Sequence, residues 1–225
     1  MYKRFTLIEL LVVVAIIGIL ASLLMPSLSR AREKAKRAVC LSNSSQVLRA
    51  IHVYAGDDDN RIPHDYREYA GSNWMSTMTE PGNPSYGKYA RLGRLLKDNL
   101  VNLEVLYCPS EEVPESASWQ WSFKENEPLW EMSKNQVQSG VYLCANYMYR
   151  KGHNAPTRLT GDGSEPILSD LFFTMDGKEM QQYFHVEGWN VGYLDGSAKF
   201  IYKQNVYAGP NQNDAPQWDE GFFKN

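Results

Sequence analysis

Several residues of this 225-residue sequence are of types and at spacings that could support chemistry. Glu9 is a single carboxylate at the head of a strongly apolar run, where an acid needs a cationic partner. Three cysteines could form a disulfide or remain buried thiols: Cys40, Cys108 and Cys144. His185 precedes the pair Asp195-Gly196 with nine residues between them. Asp57 and Asp59 lie in an acidic cluster whose oxygens are of the kind that calcium prefers.

None of these groups indicates an enzyme. The sequence has no G-x-S-x-G, H-E-x-x-H, P-loop or G-x-G-x-x-G motif, and its cysteines lack the C-x2-C spacing of zinc sites. The spacing of Asp57 and Asp59 is not that of an EF-hand, which favours a solvated acidic turn at the end of a helix. We therefore predict a non-enzymatic protein without a resident cofactor. Calcium bound at Asp57 and Asp59, or by acids such as Asp162 and Asp176, is the alternative.

The composition indicates a globular chain whose two parts differ in charge. Apolar residues make up 43% and charged residues 22% of the sequence, which excludes a wholly disordered protein. Residues 1–55 contain 8 Lys/Arg and 2 Asp/Glu, a charge of +6, whereas residues 56–225 contain 15 and 24, a charge of −9. Because the basic run at 30–37 follows an apolar segment and the remainder is acidic, nucleic-acid binding is not indicated.

One apolar run is long enough to cross a bilayer. Residues 10–28 contain no ionisable side chain, and nineteen residues at about 1.5 Å each form roughly 28 Å of helix. A cleaved secretory signal has a shorter apolar core with a small-residue cleavage site after it. Here the run continues without a turn into Arg30 and Arg32, which favours a retained anchor.

A regular stripe of apolar and small residues extends the predicted helix beyond the anchor. These residues recur at steps of three and four until the acidic turn that starts at Asp57. We predict one helix over residues 5–55, about 75 Å long, with a transmembrane half at 5–29 and an amphipathic half at 30–55. The stripe consists of Leu28, Ala31, Ala35, Ala38, Leu41, Ser45, Leu48, Ile51 and Ala55.

Residues 56–225 are long enough to form one globular head that covers the upper part of this stripe. We predict a loop-rich segment at 62–87 and a short helix at 88–101. Two apolar runs flank Asp195-Gly196 and indicate a hairpin over residues 189–202 with a two-residue turn. Strand patterns also occur at residues 105–109, 119–123, 141–149 and 166–170. The predicted fold class is α+β: a long N-terminal transmembrane and amphipathic helix packed on a small antiparallel-sheet head.

The first residues of the chain resemble a known processing motif. The string Lys3-Arg4-Phe5-Thr6-Leu7-Ile8-Glu9-Leu10-Leu11, followed by the apolar run, is similar to the start of type IV pilins and type II secretion pseudopilins. The resemblance implies that residues 1–4 are a leader, that a prepilin peptidase cleaves between Arg4 and Phe5, and that the new Phe5 amine is methylated. It also implies that Glu9 directs assembly by pairing with the Phe5 amine of a neighbouring subunit. The family usually has glycine at the position of Arg4, and its long helices often bend where Pro26 lies.

A second resemblance covers the other end of the chain. His185, Asp195 and Gly196 are similar to the H-x9-DG element of a large group of pilin-like proteins, for which the family implies no catalytic role. We predict that Asp195-Gly196 closes the hairpin and that His185 bonds to a neighbouring strand. A metal or ligand site of His185, Glu187 and Asp195 is the alternative.

The resemblance also bears on the cysteines. The segments around Cys40 and Cys108 recur together in similar proteins, which favours a Cys40–Cys108 disulfide between helix and head. Pairing of Cys108 with Cys144, or three buried thiols, remains open.

Both resemblances imply a structural subunit, a pseudopilin or minor pilin that assembles through its N-terminal helix into a type II secretion or type IV pilus-like filament. The implied partners are other pilin-like subunits, the prepilin peptidase, an inner-membrane assembly platform and the lipid bilayer. The family topology has a short cytoplasmic N-terminus and an exported head, although the basic residues at 30–37 alone would place the head in the cytoplasm. The alternative function is an anchored binding module that recognises polysaccharide or protein through its 6 Trp and 14 Tyr.

Overall fold

A computed structural model of the protein has one very long helix followed by a head of short helices and strands. It describes residues 6–63, 74–77, 91–110, 144–150, 157–170, 174–175, 178–179, 185 and 187–202. The helices are α1 (Leu7–Asp57), α2 (Leu92–Lys97) and a 3₁₀ helix (Leu103–Leu106). The strands are β1 (Trp74–Thr77), β2 (Cys144–Arg150), β3 (Pro166–Asp170), β4 (Thr174–Met175), β5 (Lys178–Glu179), β6 (Gly188–Tyr193) and β7 (Ala198–Tyr202).

Helix α1 begins and ends where its free backbone groups find partners. At the start, the Thr6 hydroxyl accepts the Glu9 N–H at 3.3 Å, and the Glu9 carboxylate accepts the Thr6 N–H at 2.8 Å, which is a capping box. At the end, Asp59 and Asn60 have φ values of 51° and 57°, and the N–H of Asn60 bonds back into the last turn at 2.8 Å. The helix continues through Pro26, which removes one backbone hydrogen bond.

Five strands form one antiparallel sheet in the order β1-β2-β3-β6-β7. Strands β6 and β7 form the predicted hairpin, in register from Gly188 opposite Tyr202 to Gly192 opposite Ala198. Strands β3 and β6 lie inside the sheet and are buried along their whole length, whereas the edge strand β7 is partly exposed. Strands β4 and β5 pair separately. The α+β fold class is confirmed, with the long helix packed on an antiparallel sheet.

The core lies between the distal half of α1 and the sheet, where the helix contacts β3, β6 and β7. The predicted stripe is buried only at its upper end, at Leu48, Ile51 and Ala55, while Leu28 and the three alanines of its lower part are not buried. Buried helix residues begin at Cys40. Periodicity therefore predicted the apolar face of the helix without showing which part of that face the head buries. The buried helix residues are Cys40, Ser44, Val47, Leu48, Ala50, Ile51 and Ala55.

Three of the predicted elements of the head are confirmed, one helix and two strands. The short helix is α2, which buries Leu92, Leu95 and Leu96 and ends before Asn99, where φ is 56°. The strand pattern at 141–149 corresponds to β2, and the pattern at 166–170 to β3. The pattern at 119–123 lies outside the described residues.

The predicted strand at 105–109 is wrong, because that segment begins inside the 3₁₀ helix and continues into an irregular stretch. Its described backbone hydrogen bonds go to nearby backbone carbonyls and to side chains instead of to a neighbouring strand. The Asn43 side-chain amide donates to the Tyr107 carbonyl at 3.3 Å, and the Cys108 N–H donates to the Asn146 side chain at 2.8 Å. Asn43 lies on α1 and Asn146 on β2, so the pattern of residues 105–109 alone could not predict these contacts.

The prediction of a loop over residues 62–87 is wrong for Trp74–Thr77, which form strand β1 at the edge of the sheet. This strand pairs antiparallel with β2, with a register shift between Met75 and Thr77. This segment has only four residues and lies among glycines and prolines in the sequence. It forms a strand because β2 offers backbone groups with which it can pair.

Candidate assembly helix and helix–head junction

The proximal part of α1 projects from the head as an apolar rod. Within the part of the chain that the structure describes, α1 is the one helix long and apolar enough to cross a membrane. Its large side chains between Leu7 and Leu28 are 47–80% exposed, because no described residue of the head covers them. An apolar surface of this size marks contact with lipid or with other protein.

Glu9 lies at the start of this rod and is engaged within its own chain. Its carboxylate accepts both the backbone N–H and the hydroxyl of Thr6, at 2.8 and 2.7 Å. The capping interaction therefore satisfies one oxygen of the acid without a cation. Arg4 and Phe5, the predicted cleavage site, lie outside the described residues.

A disulfide joins α1 to the head. It links Cys40 to Cys108, which lies just after the 3₁₀ helix, with a Cα–Cα distance of 5.4 Å. Both residues are buried, and the Tyr147 hydroxyl donates to the Cys40 carbonyl at 3.4 Å. Of the disulfide pairings that the sequence left open, the structure contains Cys40–Cys108, which joins the helix to the head. The side chain of Cys144 lies outside the described part of the structure.

His185 contacts this disulfide and a carboxylate of the helix. Its Nδ1 lies 3.0 Å from Glu33 Oε1, and its Nε2 lies 3.4 Å from Cys108 Sγ. The imidazole is fully buried, and the Ser110 hydroxyl also donates to Glu33, at 3.4 Å. The prediction that His185 bonds to a neighbouring strand is wrong, because its partner is the helix. Sequence reasoning missed Glu33, although a single acid within the basic run at 30–37 was an available signal.

An ion pair lies beside the hydrogen bond between His185 and Glu33. Arg37 Nη2 is 2.5 Å from Glu187 Oε2, and the Arg37 guanidinium stacks over Phe200 of β7 at 4.2 Å from the ring centre. The Glu187 side chain is 63% exposed, so the pair contributes at most about 1 kcal/mol. Both partners of Arg37 lie near the His185 end of the hairpin, and the pair adds to the docking of head on helix.

The other end of the H-x9-DG element contacts α1 at His52. The Tyr193 carbonyl accepts the Gly196 N–H at 3.0 Å, and Gly196 has φ of 84°. The Tyr193 N–H in turn donates to the Ser197 carbonyl at 2.9 Å, which closes a three-residue loop with a left-handed glycine. The predicted two-residue turn is therefore wrong by one residue. His52 Nε2 lies 3.0 Å from the carbonyl oxygen of Leu194 within this loop.

The length of the H-x9-DG element matches the distance between its two contacts on the helix. His185 and Asp195 are ten positions apart, which an extended chain spans in at most about 33 Å. The helix residues that contact His185 and Leu194, which are Glu33 and His52, are nineteen positions apart, about 28 Å of helix. A side chain on Gly196 would lie 3.3 Å from His52 Nε2, so glycine allows the loop to approach the helix. The element thus holds β6 against α1 at both ends.

The alternative metal set of His185, Glu187 and Asp195 is not assembled. His185 bonds to Glu33, Glu187 pairs with Arg37, and Asp195 accepts the Ser197 N–H at 2.8 Å at the far end of the strand.

Two of the acids considered for calcium have partners within the chain, Asp59 and Asp162. Asp59 bonds to Arg158 at 2.9 Å, and this hydrogen bond lowers the pKa of the carboxyl. Asp57 is exposed in the last turn of α1, and Asp162 accepts the Ser164 N–H and hydroxyl. Asp176 lies outside the described residues. Asp59 already has a cationic partner in Arg158.

A buried carboxylate lies behind the junction, where sequence reasoning predicted nothing. Asp170, at the end of β3, is 2% exposed, and its Oδ2 accepts the backbone N–H of Asn190 at 2.6 Å and its side-chain amide at 3.0 Å. Burial raises the pKa of Asp170 from an ordinary 3.8 to about 6, against the opposing effects of His185 and Asn190. The charged form of this acid is therefore costly in the folded protein.

This pKa predicts how stability depends on pH. Between about pH 4 and pH 6 the native protein retains the Asp170 proton that the unfolded chain releases, so the free energy of unfolding falls as pH rises. A shift of this size corresponds to about 3 kcal/mol. Asp170→Asn is expected to lack this decrease and to be more stable than the wild type above pH 6. Thermal unfolding of both proteins in detergent at pH 4.5 and 7.5 measures the difference, and equal slopes would contradict the prediction.

Described aromatic side chains are mostly part of the core. Tyr107, Tyr147, Tyr149, Trp189 and Tyr193 are at most 7% exposed. Burial of these rings removes them from any glycan- or protein-binding face. Trp189 is the one tryptophan whose side chain the structure describes, so this burial concerns only a small part of the aromatic residues considered for an anchored binding module.

Three curated proteins are similar to this chain. Type II secretion system core protein G of Escherichia coli strain K12 is 33% identical over 113 residues, which are 48% of this chain and 74% of that protein. The core protein G of Pectobacterium carotovorum is 42% identical over 61 residues, 27% of this chain and 38% of its own length. Type IV wide pilus major component PilA4 of Thermus thermophilus is 41% identical over 58 residues, 26% and 44% of the two chains. No protein-family model and no solved structure matches.

The exposed apolar helix, capped at Thr6 and packed by its distal half on an antiparallel sheet, defines the pilin-like class of subunit. The chain belongs to the family of type IV pilins and type II secretion pseudopilins. It is a membrane-anchored structural subunit that assembles with other pilin-like subunits, and it is not an enzyme.

Proposed function

We propose that a prepilin peptidase cleaves the protein between Arg4 and Phe5, and that the mature chain polymerises through α1 into a type II secretion or type IV pilus-like filament. Before assembly it is anchored in the bacterial inner membrane with the head on the outer side, where an assembly platform collects it. The names of the E. coli and Thermus relatives support both kinds of filament.

The observation that carries this proposal is the exposure of α1. Every large apolar side chain from Leu7 to Leu28 is exposed, as is Val39, directly before Cys40, the first buried residue of the helix. In the bilayer these side chains contact lipid. When a subunit leaves the bilayer for a filament, these apolar side chains need a new cover. The same segment of α1 in neighbouring copies provides a matching apolar surface.

Glu9 supplies the electrostatic part of this assembly. Cleavage before Phe5 creates an α-ammonium about one helical turn from Glu9. In a filament core of low dielectric constant, the ammonium of one subunit neutralises the carboxylate of its neighbour. Before assembly, when this ammonium is absent, the Glu9 carboxylate is hydrogen-bonded to Thr6 of its own chain.

The H-x9-DG element has a positional role in the same proposal. Its contacts at Glu33 and His52, together with the disulfide at Cys40, connect the head to α1 at three heights. Because filament symmetry sets the helix positions, a head held at three points keeps one orientation on the filament surface.

Mass spectrometry of the protein extracted from its own membranes tests the processing step. We expect a mature chain that begins at Phe5, with one additional methyl group on its amine. An Arg4→Gly variant restores the residue usual in the family and serves as a positive control, since it is expected to be fully cleaved.

Intact Met1 in the wild type, with cleavage in Arg4→Gly, would show that the natural chain is not a substrate. Intact Met1 in both the wild type and Arg4→Gly would contradict processing and indicate an anchored protein that is not cleaved.

A further inference from the structure

We propose that the helix–head junction, when its disulfide is reduced, becomes a binding site for a zinc ion held by Cys40, Cys108 and His185. This site is independent of filament assembly.

The three donor atoms are already close together. The two sulfur atoms and one imidazole nitrogen lie within 4.8 Å of one another, and all three residues are buried. His185 Nε2 is 3.4 Å from Cys108 Sγ. In a tetrahedral zinc site, with Zn–S of about 2.3 Å and Zn–N of about 2.0–2.1 Å, the nitrogen and sulfur lie roughly 3.5 Å apart. The imidazole is therefore at coordination distance from its sulfur neighbour.

Glu33 orients the imidazole for this role. Its carboxylate lies 3.0 Å from Nδ1, which therefore carries the proton and donates it, so that the Nε2 lone pair faces the sulfur atoms. A carboxylate on the far nitrogen of a histidine is the usual support of a zinc-binding imidazole. The Ser110 hydroxyl donates to the same carboxylate at 3.4 Å and holds it in place.

The chemistry requires a two-electron reductant, a dithiol or a phosphine. A dithiol transfers two electrons and two protons to the Cys40–Cys108 disulfide, leaving two thiols and its own disulfide, whereas a phosphine takes the oxygen of one water, whose two protons go to the thiols, and becomes a phosphine oxide. Zinc binding then displaces both thiol protons into solvent, and water completes the fourth position. The thiolates of such a site lie roughly 3.8 Å apart, so the two side chains rotate away from each other. Two thiolates and one dication make a neutral centre, which suits a buried position.

Cobalt(II) is the spectroscopic probe, added to full-length protein in detergent with a phosphine reductant. We expect thiolate-to-cobalt absorption in the near ultraviolet and visible bands of tetrahedral cobalt, saturating at one equivalent and removed by zinc. The oxidised protein is expected to show neither. Cys144→Ser is the matched control and is expected to bind as the wild type does.

Two variants separate this site from metal binding by loose thiols. His185→Ala is expected to lower the cobalt affinity at least tenfold, and Glu33→Gln, which keeps the side-chain shape, by about tenfold. Equal affinity of His185→Ala and wild type would overturn the proposal.

Zinc is also expected to raise the thermal midpoint of the reduced protein while leaving that of the oxidised protein unchanged, followed by circular dichroism. The thermal midpoint can still be compared with and without zinc if reduction of the disulfide destabilises the head. Reduced protein that shows neither cobalt bands nor a zinc-dependent midpoint would overturn the proposal as well.

Discussion

Glu9→Ala is expected to leave the protein in the membrane and to reduce its incorporation into filaments at least tenfold. Membrane insertion depends on the apolar side chains of α1, which the substitution does not touch. In the filament, however, the Phe5 ammonium of each neighbour would remain buried without an anion. An unpaired buried charge costs about 3–5 kcal/mol, and each 1.4 kcal/mol is about a factor of ten. The ratio of protein in sheared filaments to protein in membranes, by immunoblot, measures the effect.

Three further variants separate charge from helix capping. Glu9→Gln keeps the acceptor oxygen for Thr6 but not the charge, and it is expected to fail as Glu9→Ala does. Thr6→Val removes the hydroxyl and is expected to assemble, since it leaves the carboxylate in place. Glu104→Ala, at an exposed acid of the head, is the matched control. Normal incorporation of Glu9→Ala would contradict the role assigned to this residue.

Loss of the Cys40–Cys108 disulfide is expected to destabilise the folded head by about 4 kcal/mol. The bond closes a segment with a sequence separation of 68, and chain-entropy arguments give about this value for a loop of that length. For a protein of this size the thermal midpoint should fall by about 10 °C. Circular dichroism of Cys40→Ser/Cys108→Ser and wild type in detergent, without reductant, measures the change.

Cys144→Ser is the control for this experiment, because it removes the third cysteine and leaves the helix–head bond in place. Peptide mapping without reductant is expected to recover the Cys40–Cys108 peptide pair from this variant. A double variant that melts within about 2 °C of the wild type would show that the bond contributes little, since at about 2–4 °C per kcal/mol that shift is at most about 1 kcal/mol.

The long-range character of the junction explains why sequence reasoning found its residues without finding their partners. His185 and the cysteines were identified by type and spacing, yet Glu33 lies 152 positions from His185 and belongs to a helix face that also carries basic residues. Asp170 and Asn190 meet because β3 and β6 are neighbours in the sheet. A pairing between elements leaves no periodic pattern in either of them.

The stripe on α1 illustrates the same limit within a single element. Its period correctly predicted a helix of about 50 residues, because spacing along one helix depends only on the geometry of that helix. Which part of the stripe is buried depended on where the head docks, and that is set by the contacts at Cys40, Glu33 and His52. Leu28 and Ala31, at the lower end of the stripe, therefore remain exposed although they share its period.

The sequence by itself determined the anchor, the long helix, the β6–β7 hairpin and the family, because each of these depends on residues that are close together in the chain. Only the tertiary structure decided that the H-x9-DG element holds a helix, and that His185 faces a disulfide and a carboxylate. The physical reason is the same in each case. Local propensity and periodicity act over a few residues, whereas burial, pKa shifts and partner choice arise when distant segments exclude water together.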